Sequence, residues 1–164
     1  MLLKKIIEEY MIKTTPLQDR IDPKTGKPKA LQHNANDDYN EKRVIQHFWD
    51  SQKVILHPYA TYSPIDYWME KNKKVVGIAE LKTSFIKDST VAYLNFRKFV
   101  TLVEASLGLR TKGYFITQRV DGSIYIKDVT KLQGDIKIVD RGLNSPNEKE
   151  PVLCVPLDSM YKLI

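Results

Sequence analysis

The chain has a single cysteine, Cys154, in 164 residues, which excludes an intramolecular disulfide and a multi-thiolate zinc site. It has no apolar run near the roughly 18 residues that cross a bilayer, so no membrane partner is expected. The stretch Met1–Tyr10 is broken by Lys4, Lys5, Glu8 and Glu9, so it lacks the apolar centre of a secretory signal, and a cytoplasmic location is expected. Gly and Pro total only 15 residues, with no repeat and no low-complexity tract, so collagen-like and disordered classes are excluded. What is present is 42% apolar residues, 10% aromatics and a net charge of +6, which suit one ordinary domain with an acidic partner, nucleic acid first.

Hydrophobic periodicity divides the chain into an N-terminal helix and arm (1–36), a core (37–129) and a C-terminal extension (130–164) of that one domain. Leu2, Leu3, Ile6, Ile7, Tyr10 and Met11 repeat at helical spacing; Lys13 to Asp38, with three prolines and Gly26, reads as a long loop whose lysines either touch phosphate or are simply solvated. A helix is predicted from Asp37 or Asp38 to Ser51, burying Val44, Ile45, Phe48 and Trp49. Glu41 shares that stripe, so its carboxylate points inward and needs a partner. A three-strand meander follows over Lys53–Tyr62, Ile65–Met69 and Val75–Leu81. Asp88-Ser89-Thr90 caps a long helix with Phe96, Phe99, Val100, Val103 and Leu107 on its inner face and Gly108 as its stop. Lys112–Arg119 and Ser123–Val129 form a hairpin around a two-residue Asp121-Gly122 turn, followed by short strands at Asp135–Val139 and Val152–Val155 and a closing helical turn in 157–163.

Within this order, Asp66, Glu80 and Lys82 put charge where a core prefers none. Glu80 and Lys82 are two apart on a strand and leave the same face. A turn over Asn72–Lys74 sets Asp66 opposite Glu80, with Cβ atoms about 4.5–5.5 Å apart. A turn of two or four residues instead sets Asp66 opposite Ala79 and sends Glu80 to the other side, unless a bulge near Gly77 restores the phase. Two carboxylates that close repel unless a proton or cation lies between them, and hard oxygen donors favour magnesium or manganese.

Pro64-Ile65-Asp66, thirteen residues, then Glu80-Leu81-Lys82, with Val75–Ala79 before and Thr83-Ser84 after, resembles the motif of the PD-(D/E)XK, or restriction-endonuclease-like, nucleases. Ile65 separates the proline from the aspartate, a departure from the literal motif. The resemblance implies an α/β fold with an αβββαβ core, a mixed central sheet flanked by helices. It implies that Asp66 and Glu80 bind catalytic Mg2+, with Mn2+ able to substitute, that Lys82 manages the attacking water, and that Glu41 is a further metal or water contact. It also implies hydrolysis of phosphodiester bonds in DNA; cutting both strands of a duplex would call for two active sites, hence a homodimer. The absence of a sequence-specific recognition domain points away from site-specific restriction, and the small chain suits a phage or mobile element.

Lys98 on the second core helix, with Arg97, is the expected DNA-backbone contact; Arg110, Lys112 and Arg119 extend that basic run, and all are equally readable as solvated surface. Tyr93, at the opening of that helix, hydrogen-bonds a phosphate or packs. Glu70 reads as a surface charge, His33, His47 and His57 as surface or packing residues, Trp49 and Trp68 as core, and Cys154 as a small buried residue. Two other readings stand beside the nuclease: a non-catalytic nucleic-acid-binding or assembly module on the same fold, and a structural domain with a surface salt-bridge cluster.

Overall fold

In a computed structural model, residues 35–59, 63–84, 89–140 and 149–164 are described; the predicted helix at 2–12 and the arm as far as residue 34 lie outside them, and residues 35–38, expected at the arm's end, already belong to the first helix. Helix α1 (Ala35–Gln52) is followed by β1 (Ile55–Pro58), β2 (Tyr67–Lys71) and β3 (Lys74–Thr83), the predicted meander. Then come β4 (Val91–Asn95), α2 (Phe96–Gly108), β5 (Lys112–Gln118), β6 (Ile124–Asp128), β7 (Asp135–Asp140), β8 (Lys149–Pro156) and β9 (Tyr161–Lys162). The main sheet runs β1-β2-β3-β5-β6-β9; β3 and β5 are parallel and the other pairs antiparallel. A second sheet, β4-β8-β7, is wholly antiparallel.

The main sheet is covered on both sides. Val44 and Phe48 of α1 pack with Leu56, Tyr67, Met69, Ala79, Leu81 and Ile116. On the opposite face Leu102 and Ala105 of α2, with Leu94, Leu153 and Val155 of the small sheet, pack with Trp68, Ile78 and Phe115. Alternation along β3 therefore sends Ala79 and Leu81 toward α1, and Ile78, Glu80 and Lys82 toward α2.

The phase of β3 against β2 depends on a compensated irregularity. The turn holds two residues, Asn72 and Lys73, both left-handed (φ 52° and 61°), which matches a type I′ hairpin and differs from the expected three-residue loop. Glu70 pairs with Val75, yet Met69 pairs with Gly77 and Tyr67 with Ala79, so Val76 is an extra, bulged residue. The bulge restores the register in which Asp66, one residue before the ladder, lies across from Glu80.

Other expectations shift for local reasons. The second core helix begins at Phe96, with Asn95 and not Asp88–Thr90 as its cap, because Val91–Asn95 alternates in burial and pairs as β4 with β8. Its fully buried residues are Leu102, Ala105 and Ser106; of the expected inner face, Phe99 and Val103 pack half-buried against the core, while Val100 and Leu107 are exposed (37% and 64%). Small residues take that buried line because α2 lies close on β5: a Cβ on Gly113 would meet Ser106 Cβ at 3.1 Å and the Leu102 carbonyl at 3.3 Å. Trp49 is exposed, with the Lys53 ammonium 5.3 Å over its ring, and is not core. The β5–β6 turn is longer than the expected two residues: Arg119 N–H donates to Ser123 O and Gly122 N–H to Arg119 O, with only Gly122 left-handed (φ 84°). The tail makes its turn as a 3-10 helix at Leu157–Ser159 and then adds β9 to β6. Cys154 is buried, as expected.

Candidate active site

The site is assembled by three neighbouring pieces of backbone. Strand β3, paired on both sides in the middle of the sheet, delivers Glu80 and Lys82 to the α2 face. Asp66 arrives at the entry to β2, where its Oδ2 accepts the Leu81 backbone N–H at 3.1 Å and is thereby fixed to β3. Lys98 descends from the first turn of α2. That turn is held by Asn95, whose Oδ1 accepts from the Arg97 and Lys98 backbone N–H groups (2.9 and 3.2 Å). The Asn95 amide donates to Glu150 Oε2 at 2.7 Å, tying the helix start to β8.

The charges then meet. The Lys98 ammonium donates to Asp66 Oδ1 at 3.0 Å and to Glu80 Oε1, and Lys82 Nζ stands 3.5 Å from the same Glu80 oxygen. Glu80 is 1% exposed, and its Oε2 is buried without a hydrogen-bond partner. Asp66, Lys98 and Lys82 are more open, with side chains 27%, 29% and 42% exposed. Glu80 is thus sealed from solvent, while the other three side chains of the cluster are partly reachable.

Burial, then the Asp66 charge, push the Glu80 carboxyl up to about 7 against the pull of Lys98 and Lys82. For Lys98, burial works against the ammonium, but Glu80 and Asp66 outweigh it and hold its pKa above the ordinary lysine range. An acidic oxygen without a donor, next to a second carboxylate, suits a hard divalent cation. Asp66 and Glu80 are the residues that could hold it. Among the described residues no three His, Cys, Asp or Glu groups gather closely enough to hold a metal ion by protein ligands alone, so several coordination positions would fall to water and phosphate.

The structure brings together Asp66, Glu80, Lys82 and Lys98 and leaves the other candidates elsewhere. Glu41 has the partner its position demanded, but that partner is the Tyr67 hydroxyl, which donates to Oε2 at 2.6 Å within the α1 packing layer. It does not join the Asp66–Glu80 group, because α1 covers the opposite face of the sheet. Tyr93 stands on β4 and not on the helix, 41% exposed beside Cys154, and Arg97 is exposed on the first turn of α2. Arg119, read as a surface cation, is buried and donates to the carbonyls of Ser89 (2.5 Å) and Val91 (3.4 Å) and to Ser84 Oγ (3.3 Å), bracing the chain after β3. His57 stacks on Trp68 at 3.9 Å and bonds Glu70 at 2.9 Å, so Glu70 is half-buried and paired. Sequence reasoning placed Lys98 at the DNA; its bridge between the two carboxylates was missed, since the only signal was a lysine one turn into the helix that follows the motif strand.

No protein-family model matches the chain, and no curated protein matches it in sequence. Among solved structures it is similar to Hjc, a Holliday junction resolvase from the archaeal hyperthermophile Archaeoglobus fulgidus, with a TM-score of 0.56 and 12% identity over 79% of this chain and 93% of that one. The fold is restriction-endonuclease-like. Hjc-like topology accounts for the mixed central sheet and the two flanking helices, while identity this low shows the architecture alone.

Proposed function

We propose that this chain is a divalent-metal-dependent nuclease of the PD-(D/E)XK type that hydrolyses phosphodiester bonds in DNA. The observation that carries this reading is the convergence of Asp66, Glu80 and Lys82 on the α2 face of the sheet, with Glu80 Oε2 buried and without a donor. Asp66 and Glu80 would hold Mg2+, with Mn2+ as a substitute; the ion supplies charge neutralisation at the phosphate and activation of water. Lys82, whose side chain lies beside Glu80 and is the most exposed of the group, would orient the attacking water and, in its neutral amine form, would accept the water's proton. Arg97 and Tyr93, both exposed at the start of α2 and on β4, are the proposed contacts to the DNA backbone. The working form is a homodimer when both strands are cut, acting in the cytoplasm. No helix among the described residues is long and apolar enough to cross a membrane.

The decisive experiment is cleavage of supercoiled plasmid and of a synthetic four-way junction in Mg2+, the latter because the structural neighbour is a junction resolvase. Cleavage by the wild type and its loss in Lys82→Ala with unchanged melting behaviour support the nuclease. The second reading, a binding or assembly module on the same fold, draws on the Lys98 bridge, which lets the acidic pair persist as an ion-pair cluster. DNA binding without cleavage in Mg2+ or Mn2+ would favour it, and neither binding nor cleavage would leave a structural domain.

A further inference from the structure

Lys98 contacts both carboxylates of the proposed metal pair, Asp66 through Oδ1 and Glu80 through Oε1, whereas Lys82 touches Glu80 alone and at longer range. We infer that the Lys98 ammonium is a built-in competitor for the divalent cation, holding the Asp66–Glu80 pair in register and leaving it when the ion enters. This inference rests on the metal-dependent reading of the site.

The argument is one of shared oxygens and net charge. A magnesium ion binds carboxylate oxygens at about 2.0–2.1 Å and demands near-octahedral geometry. An ammonium already donating to one oxygen of each carboxylate lies where such an ion would sit, and a monocation beside a dication in a poorly solvated pocket is repelled. Of the remaining oxygens, Asp66 Oδ2 accepts the Leu81 N–H and Glu80 Oε2 is buried without a hydrogen-bond partner, so departure of Lys98 would free one further oxygen on each carboxylate for an ion.

Lys98 is also built to leave. Its backbone is anchored by the Asn95 cap and the Asn95–Glu150 bond, so the helix can stay in place while the four-carbon stem swings. The side chain is 29% exposed, so it is not closed off from solvent. Released, the ammonium meets the phosphate side of the site, where it was expected from sequence as a DNA contact. One residue thereby serves as counter-ion to the carboxylates and then as counter-ion to the substrate, and metal entry and phosphate binding reinforce each other.

The test is Mn2+ binding to the full chain without DNA, by calorimetry or by electron spin resonance of free Mn2+, for wild type, Lys98→Met and Lys82→Met. Displacement predicts at least about tenfold tighter Mn2+ binding in Lys98→Met and less than about threefold change in Lys82→Met, since Lys98 donates to an oxygen of each carboxylate whereas Lys82 stands 3.5 Å from Glu80 Oε1 alone. Equal tightening in both variants reduces the effect to net charge and overturns the inference, as does unchanged or weaker binding in Lys98→Met. Should Lys98→Met fail to fold, the wild type decides: a slowly exchanging lysine ammonium resonance is expected before Mg2+ addition and lost at saturation, and its persistence at saturation overturns the inference. Asp66→Asn and Glu80→Gln separate the levels. If they abolish Mn2+ binding while Lys98→Met leaves it unchanged, only the displacement is wrong; if they leave it intact, or if no protein binds Mn2+, the metal-dependent reading falls with it.

Discussion

The two faces of the central sheet treat a carboxylate in opposite ways. On the α1 face, Glu41 is half-buried and capped by the neutral hydroxyl of Tyr67 at 2.6 Å, amid Val44, Phe48 and Leu81. On the α2 face, Glu80 is fully buried, faces Asp66, is balanced by two ammoniums and retains an oxygen without a donor. The first carboxylate is held by a hydroxyl of the fold; the second keeps a buried oxygen without a donor. Both faces use the same strands, so the difference comes from which residues the phase of β3 presents to which helix. The proposed chemistry belongs to the α2 side, where Glu80 keeps an oxygen without a donor.

Four perturbations would break or sharpen that contrast, beginning with the largest. Deleting Val76 removes the bulge and turns one end of β3 over, so that either the turn is forced out of register or Glu80 faces Val44 and Phe48 on the apolar side. An uncompensated buried carboxylate costs about 3–5 kcal/mol, so the deletion should abolish cooperative melting by circular dichroism. A normal melting curve would show that the bulge does not hold the two faces apart.

Next, Lys82→Ala should lower the rate of DNA cleavage about 10²–10⁴-fold, while Glu41→Gln on the other face should change it less than about threefold, both read by single-turnover assays. Comparable losses would mean that Glu41 belongs to the reacting group after all.

The third concerns pH. Glu80 has its carboxyl raised from 4.5 to about 7 in the folded chain by burial first and by Asp66 second, so the folded state holds more protons than the unfolded one between those values. Stability must therefore fall as pH rises through that window, by on the order of 1–3 kcal/mol, and then level off. Thermal melts without divalent ions from pH 5 to 8 should show a falling midpoint, and Glu80→Gln should flatten it. A rising midpoint in the wild type would contradict the assignment.

The smallest effect belongs to Tyr67→Phe, which removes the donor to Glu41 and should cost about 1–2 kcal/mol in denaturant melts with cleavage nearly unchanged.

Much of the architecture was legible because periodicity and turn chemistry agree in the core: the helix over Val44 and Phe48, the three-strand meander and the β5–β6 hairpin stand where their patterns put them. The convergence of Asp66, Glu80 and Lys82 was also legible, although through a two-residue turn and a bulge whose effects cancel rather than through one three-residue loop. Less readable were features set by partners distant in sequence. Val91–Asn95 continues a helical pattern until β8, some sixty residues later, claims it as a strand. On α2, Phe99 and Val103 pack as their pattern suggests, but the line of closest approach to Gly113 falls to Leu102, Ala105 and Ser106, which the pattern did not single out. Trp49 and Arg119 exchange their expected places, the aromatic outside under a lysine and the cation inside among carbonyls, since local sequence does not reveal which carbonyls lack a donor. Lys98 was placed on the proper helix, yet its hold on both acids depends on the depth at which Asn95 sets that helix.

That anchoring has a mechanical consequence. Helix α2 behaves as a cantilever carrying an ammonium near its root, and the root is clamped by β8 through Glu150 and by the β4–β8 ladder. Shifting the clamp by a fraction of an ångström moves the tip of Lys98 relative to Asp66 without altering any charged group in the pocket. Residues 149–156, remote from the acids along the chain, thus belong to the frame on which the Lys98 backbone is mounted.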